Sequence, residues 1–391
     1  MTAIAYSYFN TLLFNLFNDN STFNAKPKAK IKKINTLKEI KLESTISDPS
    51  VSFLEERIAS LENGTSAIAA KSVKSARFSL IKNLLEVGDN VVTFNSWSLY
   101  HEEKELYNRI GISIQLSEDG KLTTFKNQIN EKTKLIYLET ISPKYINIPD
   151  FQKITSYARS LGIPVVVDNS ASVGGHLVKP IEEKANIIIE SLEDYLPKQV
   201  KYKTVVIDGG NFDWKNSRIS KLKNASNKTD IIGLYRAKQT VKREHFLIPR
   251  DPFSLATRLE AIPQKAQLKS DNALKLARYL ESHYLIKTIN HTGLTSSNSH
   301  FNSLTYFHNG FGTHLSFNLA ARQDLIQGFF QELSKEISLR RNLSFDPQTQ
   351  TIYLNVPAVD FEELKSQFDK VLNLLKSSLE YYKVFREPFY A

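Results

Sequence analysis

Asp168 closes the apolar stretch Pro164-Val165-Val166-Val167, and Ser191-Leu192-Glu193-Asp194 sets two acids side by side after a second apolar run. A strand-end carboxylate such as Asp168 can serve a site, or it can simply cap the turn that follows. Lys71 and Lys74 bracket Ser72-Val73, and Lys198, Lys201 and Lys203 follow the paired acids. A positioned lysine amine can capture an aldehyde as a Schiff base and later move protons. Tyr100 is the aromatic to weigh beside them, either as a stacking surface or as a half-buried ring. Other chemistries have little to stand on. The chain has no cysteine, which removes disulfides, thiolate metal sites and a cysteine nucleophile. Its eight histidines show no metal-ligand spacing. There is no Walker loop and no nucleophile elbow. Gly174-Gly175-His176 and Asn309-Gly310-Phe311-Gly312 read as turns.

The elements around these residues alternate in type. Helical periodicity covers 51–61, 72–85, 100–109 and 150–160, the last with Asp150 placed to cap its first turn. Short apolar strands fall at 91–94, 135–138, 164–168, 186–189 and 204–207. Strands separated by helices imply βαβ units and a largely parallel sheet covered on both faces. Asp208-Gly209-Gly210-Asn211 closes that region with a turn signal. Residues 216–250 are polar and read as a connector. A long helical stretch at 253–283, interrupted at Pro263, leads into strands at 313–319 and 351–356 and helices at 321–337 and 360–379. The expected organisation is an arm and lysine-rich linker at 1–45, a large α/β domain at 46–245 and a smaller α+β domain at 246–391.

Composition is that of an ordinary soluble protein, with 41% hydrophobic and 24% charged residues in 391. The net charge of +10 is partly local, in Lys26, Lys28, Lys30, Lys32, Lys33, Lys38 and Lys41. No arginine or aromatic residue interleaves these lysines, so a nucleic-acid partner is not expected. The first 18 residues are apolar and aromatic but broken by Asn10, Asn15 and Asn18, too short and polar to span a bilayer. Phe9, Leu12, Leu13, Leu16 and Phe17 recur at helical spacing and suggest an arm packing on its own protein or a neighbouring subunit. A cytoplasmic protein without a membrane role is expected.

Several blocks carry a resemblance. LEERIASLENGT at 54–65 resembles the first large-domain helix of the Cys/Met-metabolism enzymes that use pyridoxal phosphate (PLP), and VVVDNS at 165–170 resembles their aspartate strand. IDGGNFDWKN at 207–216 is similar to the O-acetylhomoserine sulfhydrylase branch. DPFSLATRLEAIP at 251–263 and NALKLARYLESH at 272–283 resemble the family's C-terminal-domain helices. The resemblance covers most of 45–320. It implies the fold-type-I architecture: a large domain with a mostly parallel sheet sandwiched by helices, a smaller α+β C-terminal domain, and active sites shared between two subunits.

The same resemblance exposes what is missing. In the family a Ser-x-Thr-Lys segment supplies the Schiff-base lysine. Here it aligns with Ser191-Leu192-Glu193-Asp194, so Asp194 stands at the lysine position and Glu193 at that of a threonine that helps hold the cofactor phosphate. The Ser-Gly-Met/Gln turn of the phosphate cup becomes Ser72-Val73-Lys74. A tyrosine and an arginine from a neighbouring subunit become Glu43 and Thr45. The arginine for the substrate carboxylate aligns with Tyr353. Ser72, Tyr100, Asp168 and Ser191 remain as relics: Tyr100 matches the ring-stacking tyrosine and Asp168 the partner of the pyridinium nitrogen. Lys74 either fills the emptied cup by pairing with Asp194 or Glu193, or these are solvated charges on separate loops.

Three readings follow. The first is a catalytically inactive member that binds or assembles, as a homodimer or homotetramer or with an active paralogue, and needs no cofactor. The second is an active PLP enzyme of the sulfhydrylase or cystathionine synthase/lyase type with relocated or non-covalent PLP. The third is a basic, non-enzymatic binder of an anionic partner.

Overall fold

A computed structural model describes residues 49–117, 122–198, 200, 202–222 and 252–385. The arm, the lysine-rich linker, Glu43 and Thr45, Lys201 and the expected domain boundary at 245/246 lie outside them.

Helix α1 (Pro49–Leu61) leads into strand β1 (Ser66–Ala70), helix α2 (Val73–Leu84) and strand β2 (Asn90–Thr93). A π-helical turn (Ser98–Glu102), α3 (Lys104–Asn108), β3 (Ser113–Leu116), α4 (Leu122–Gln128) and β4 (Thr133–Glu139) follow. Then come α5 (Phe151–Ser160), β5 (Val165–Asp168), a 3-10 turn (Ser170–Gly175), β6 (Ile187–Ser191) and β7 (Thr204–Asp208). The second half holds α6 (Pro252–Glu260), α7 (Ile262–Glu281), β8 (Ile286–Asn290), α8 (His300–Tyr306), β9 (His314–Leu319), α9 (Gln323–Leu333), β10 (Leu343–Asp346), β11 (Thr351–Asn355) and α10 (Phe361–Phe385).

Seven strands form one sheet in the order β1-β7-β6-β5-β4-β2-β3. β2 to β6 are mutually parallel, and β7 runs antiparallel to both its neighbours. The sheet buries both faces. In β4 and β5, Ile136, Leu138, Val165 and Val167 join one core cluster. Leu135, Tyr137 and Val166 join the other. This is why these strands read as unbroken apolar runs rather than alternating ones. The other sheet, β10-β11-β9-β8, is antiparallel and packs on α7, α9 and α10 through a third cluster that includes Leu276, Phe317, Phe329 and Phe368. No described helix is long and apolar enough to cross a membrane.

Local chemistry sets the element ends. Asp150 Oδ1 accepts from the Lys153 N–H, capping α5 as its position predicts. Pro263 sits in the first turn of α7, where its missing N–H is harmless, and the chain bends between α6 and α7. One expected helix is corrected. Residues 100–109 do not form a single α-helix, because the Glu103 N–H reaches back five residues to the Ser98 carbonyl. That wider turn redirects the side chains before α3 begins.

Where the parallel strands end at their carboxyl termini, Glu139 pairs with Asp168 in register, and Asp168 with Ile189 one strand further. Such strand ends are where open α/β sheets place their sites.

A buried acid pair lies just behind this edge. Glu62 and Glu190 are both fully buried, and the Asn169 Nδ2 donates to Glu62 Oε1 at 2.8 Å and to Glu190 Oε1 at 3.5 Å. Oε2 of each acid has no other partner. Burial pushes both carboxyls above their ordinary range, and the proximity of Glu62 pushes Glu190 further. The folded chain therefore holds protons that the unfolded chain releases near pH 4. Stability from this pair is full below that pH and is lost as pH rises through the folded-state value. Replacing Glu190 by Gln keeps an acceptor for the Gly174 N–H and adds a donor toward Glu62. Glu190→Gln is expected to stabilise the fold at pH 9 by a few kcal/mol, the scale of an uncompensated buried carboxylate, with a smaller gain at pH 5. Melting curves at the two pH values test this; equal shifts at both contradict it.

Candidate functional site

A cleft of about 580 Å³ opens above the carboxyl ends of β4, β5 and β6. α2 and the π-turn form one wall, the 191–195 segment another, and β9 to β11 the third. Its floor is made of strand-end side chains, Glu139, Asp168 and Ser191.

Asp168 is tied down from within. Its Oδ1 accepts from the Ser170 N–H at 3.0 Å and from the Ser170 hydroxyl at 2.5 Å, and its Oδ2 accepts from the Tyr137 hydroxyl at 3.3 Å. Ser170 Oγ in turn accepts from the Ser191 N–H at 2.9 Å. Tyr137 also accepts from Arg77 Nη1 at 3.0 Å. Arg77 makes a forked pair with Glu103, Nε to Oε2 at 3.1 Å and Nη2 to Oε1 at 2.5 Å, with side chains only 3% and 2% exposed. A guanidinium from α2 thus lies beneath the cleft, paired with Glu103 and joined to Asp168 through the Tyr137 hydroxyl.

Asp194 has a cation of its own. Lys269 Nζ, on α7, donates to Asp194 Oδ2 at 2.5 Å, and Asn355 Nδ2 lies 3.4 Å from the same oxygen. The lysine is 7% exposed and the aspartate 43%. Partial burial works against ionisation of Asp194, but the Lys269 ammonium outweighs it and holds the carboxyl below its usual range. Burial, with Lys269 close by, pushes the neighbouring His314 down to about 3, so this imidazole is neutral.

Glu139 stands apart from these pairs. It is 6% exposed. Ser96 Oγ lies 2.5 Å from its Oε1, while its Oε2 makes no hydrogen bond. Burial first, and the charge of Asp168 second, push its carboxyl up to about 8, against the opposing pull of Ser96, Arg77 and the Ser142 hydroxyl.

Glu193, Asp194 and Lys74 all line the cleft with Asp168 and Ser191. Of the two readings of Lys74, the one as a solvated charge matches the structure: the Asp194 partner is Lys269, and among the described residues Lys74 has no ion pair within 4.0 Å. The reason is reach. Lys74 sits exposed at the start of α2, while Lys269 comes up from the α7 side already buried against Tyr195. Ser72 is not on the cleft wall. Its hydroxyl accepts from the Ser75 N–H and its own N–H donates to Ser75 Oγ, a closed capping box for α2. Val73 faces the cleft instead. Tyr100 is also elsewhere. The π-turn directs it to a separate cavity with Ile114, Gln115 and Thr124, under the Lys104 ammonium. Tyr353 stacks beneath Lys144, and Arg341 lines the cleft nearby.

Sequence reasoning missed Arg77, Glu103, Tyr137, Glu139, Lys269, His314 and Arg341. Glu139 carried a signal, as an acid ending an apolar strand just as Asp168 does. Lys269 carried none, because only the tertiary fold brings α7 to the end of β6.

The fold and the position of this cleft define a class: a parallel α/β sheet with its site at the strand ends, completed by a smaller antiparallel layer. The O-acetylhomoserine sulfhydrylase of Wolinella succinogenes has this fold, with a TM-score of 0.70 at 22% identity over 83% of this chain and 96% of that one. A profile of the family described as Cys/Met metabolism PLP-dependent enzyme matches residues 16–343. The homocysteine/cysteine synthase of Kluyveromyces lactis is 32% identical over 335 residues, covering 80% of this chain and 75% of its own. O-acetyl-L-homoserine sulfhydrylase 1 of Thermus thermophilus is 28% identical over 326 residues, covering 79% and 77%. The chain belongs to the Cys/Met-metabolism family of PLP-dependent enzymes.

The described residues do not fit that cofactor. No amine projects from the end of β6, and the buried lysine closest to that position is committed to Asp194. Glu193 and Asp194 would face an anionic phosphate. Two unit charges near 4 Å interact by about 4 kcal/mol at an effective dielectric of 20. Micromolar affinity corresponds to only about 8 kcal/mol. The Asp194 charge is offset by Lys269 and Lys74 could offset part of the rest, so Glu193, unpaired among the described residues, and the missing amine weigh most against the cofactor.

Proposed function

We propose that this chain is a non-catalytic member of its family, acting by binding or by assembly rather than by PLP chemistry. The Asp194–Lys269 ion pair carries the reading. A lysine that acts as a nucleophile needs its amine free, and the Lys269 amine is held by Asp194 at 2.5 Å. The substitution has therefore done more than delete a lysine. It has given the cleft a structural ion pair at that position. The internal network from Glu103 through Arg77 and Tyr137 to Asp168 supports the same reading, because it stabilises the floor without a bound group.

Assembly remains part of the proposal, as a homo-oligomer or with an active paralogue. Its relatives include proteins named O-acetyl-L-homoserine sulfhydrylase. The test of inactivity is direct. Purified protein given O-acetyl-L-homoserine, sulfide and excess PLP is expected to form no homocysteine above the protein-free rate. Turnover on the order of 1 per second, at the lower end of ordinary enzymes, would overturn the reading. Co-purification with a catalytic relative in a fixed ratio would support the paralogue form; a homogeneous homo-oligomer would support the other.

A further inference from the structure

We propose that the cleft binds a small organic cation, a compact primary amine, with its ammonium between Glu139 and Asp168. The inference rests on the preceding reading, that PLP does not occupy the cleft.

Two independent observations carry it. The first is the lining. Glu102, Glu103, Glu139, Asp168, Glu193 and Asp194 face the cleft against Lys74, Arg77 and Arg341. Lys74 and Arg341 are exposed at the mouth, while Glu139 is buried at the floor. Arg77 and Lys269 pair with Glu103 and Asp194 and cancel those two acids, which leaves Glu102, Glu139, Asp168 and Glu193 against Lys74 and Arg341. The second is the orphan atom. Glu139 lines the cavity, and its Oε2 is buried with no hydrogen-bond partner among the described residues. Leaving such a group unsatisfied costs about 1–3 kcal/mol, more when it is charged.

Register supplies the geometry. Glu139 and Asp168 are paired residues on adjacent parallel strands, so their side chains leave the same face of the sheet side by side. A primary ammonium has three donors on a compact charge and can meet both carboxyls at once. A cleft of about 580 Å³ is within the usual range for small ligands.

Binding must be linked to protons. Around Glu139 stand Asp168 on β5, Arg77 on α2, Tyr137 on its own strand, Glu102 and Glu103 on the π-turn segment, Glu193 and Asp194 after β6, and His314 on β9. Asp168 and burial keep Glu139 protonated near neutrality. An incoming ammonium favours the carboxylate and expels that proton. Affinity for an amine is then expected to rise about tenfold from pH 7 to pH 9, since Glu139 titrates at about 8 in the free protein.

The test is calorimetric titration with n-butylamine, putrescine and inorganic phosphate, each in two buffers of different ionisation enthalpy. The expected result is amine binding with proton release, strengthening with pH, and weakened at least tenfold by Glu139→Gln with the pH slope lost. Inorganic phosphate is expected not to bind the cleft. Should Glu139→Gln fail to fold, proton release by the wild-type protein still decides. The proposal is overturned by no amine binding at millimolar concentration, by binding without proton release, or by phosphate binding that Glu139→Gln leaves intact. A protein that takes up PLP defeats the earlier reading; a colourless protein indifferent to both amines defeats only this one.

Discussion

Replacing Arg77 by Leu is expected to cost about 3–5 kcal/mol of folding stability, the range seen when one partner of a buried ion pair is removed. The guanidinium holds Glu103 through two bonds, and its other arm reaches Asp168 through the Tyr137 hydroxyl. Its loss strands a carboxylate that is 2% exposed and removes the only buried cation on that side of the cleft among the described residues. Removing both charges should hurt less than removing one. The double variant Arg77→Leu with Glu103→Leu is expected to recover much of the loss, because the desolvation cost of the pair disappears with it. Urea unfolding of the single and double variants measures this. A single-variant loss below about 1 kcal/mol, typical of exposed pairs, would show that the network does not support the cleft.

The second large effect concerns Asp194. Restoring a lysine there is the natural attempt to revive the ancestral chemistry, and it is expected to fail. Lys269 Nζ lies 2.5 Å from Asp194 Oδ2, so Asp194→Lys sets two ammonium groups against each other. Like charges near 4 Å repel by about 4 kcal/mol at an effective dielectric of 20, reduced here because Asp194 is partly exposed. A net loss of roughly 2–4 kcal/mol is expected, without a chromophore on adding PLP. The charge swap, Asp194→Lys with Lys269→Asp, should return most of the stability. It should still not take up PLP, because Glu193 and Val73 remain in the cup. Denaturation curves and spectra of the three proteins separate these outcomes; a coloured Asp194→Lys variant would mean that only the lysine was missing.

Much of this was legible in the sequence, and the exceptions share a cause. Apolar strands at 164–168 and 186–189, much of the helix spacing, the Asp150 cap and the interruption near Pro263 follow from local pattern, and each has its counterpart in the structure. β1 did not stand out, because SAIAA is alanine-rich and alanine favours helix. Tyr100 was expected at the cleft from its position in Ser98-Leu99-Tyr100, but a five-residue π-turn aims it elsewhere, and nothing local announces that turn. Lys74 as the partner of Asp194 was one of two readings, the other being solvated charges on separate loops. Lys269 displaced it because a buried lysine needs a counter-ion more than an exposed one does. That Asp194 stands at the family's Schiff-base lysine position is a reading of the aligned segment Ser191-Leu192-Glu193-Asp194. Its ion pair with Lys269 was not legible, since it joins segments far apart in the chain.

On the proposed reading, Asp194 and Lys269 form a structural ion pair beside which PLP has no place. The direct measurement is the visible absorbance of the wild-type protein titrated with PLP, then treated with borohydride and mapped by peptide mass spectrometry. The predicted result is a colourless protein with no pyridoxyl-lysine above the level on exposed surface lysines. A saturable absorbance band, discharged by borohydride and mapping to a single lysine such as Lys269 or Lys74, would contradict it.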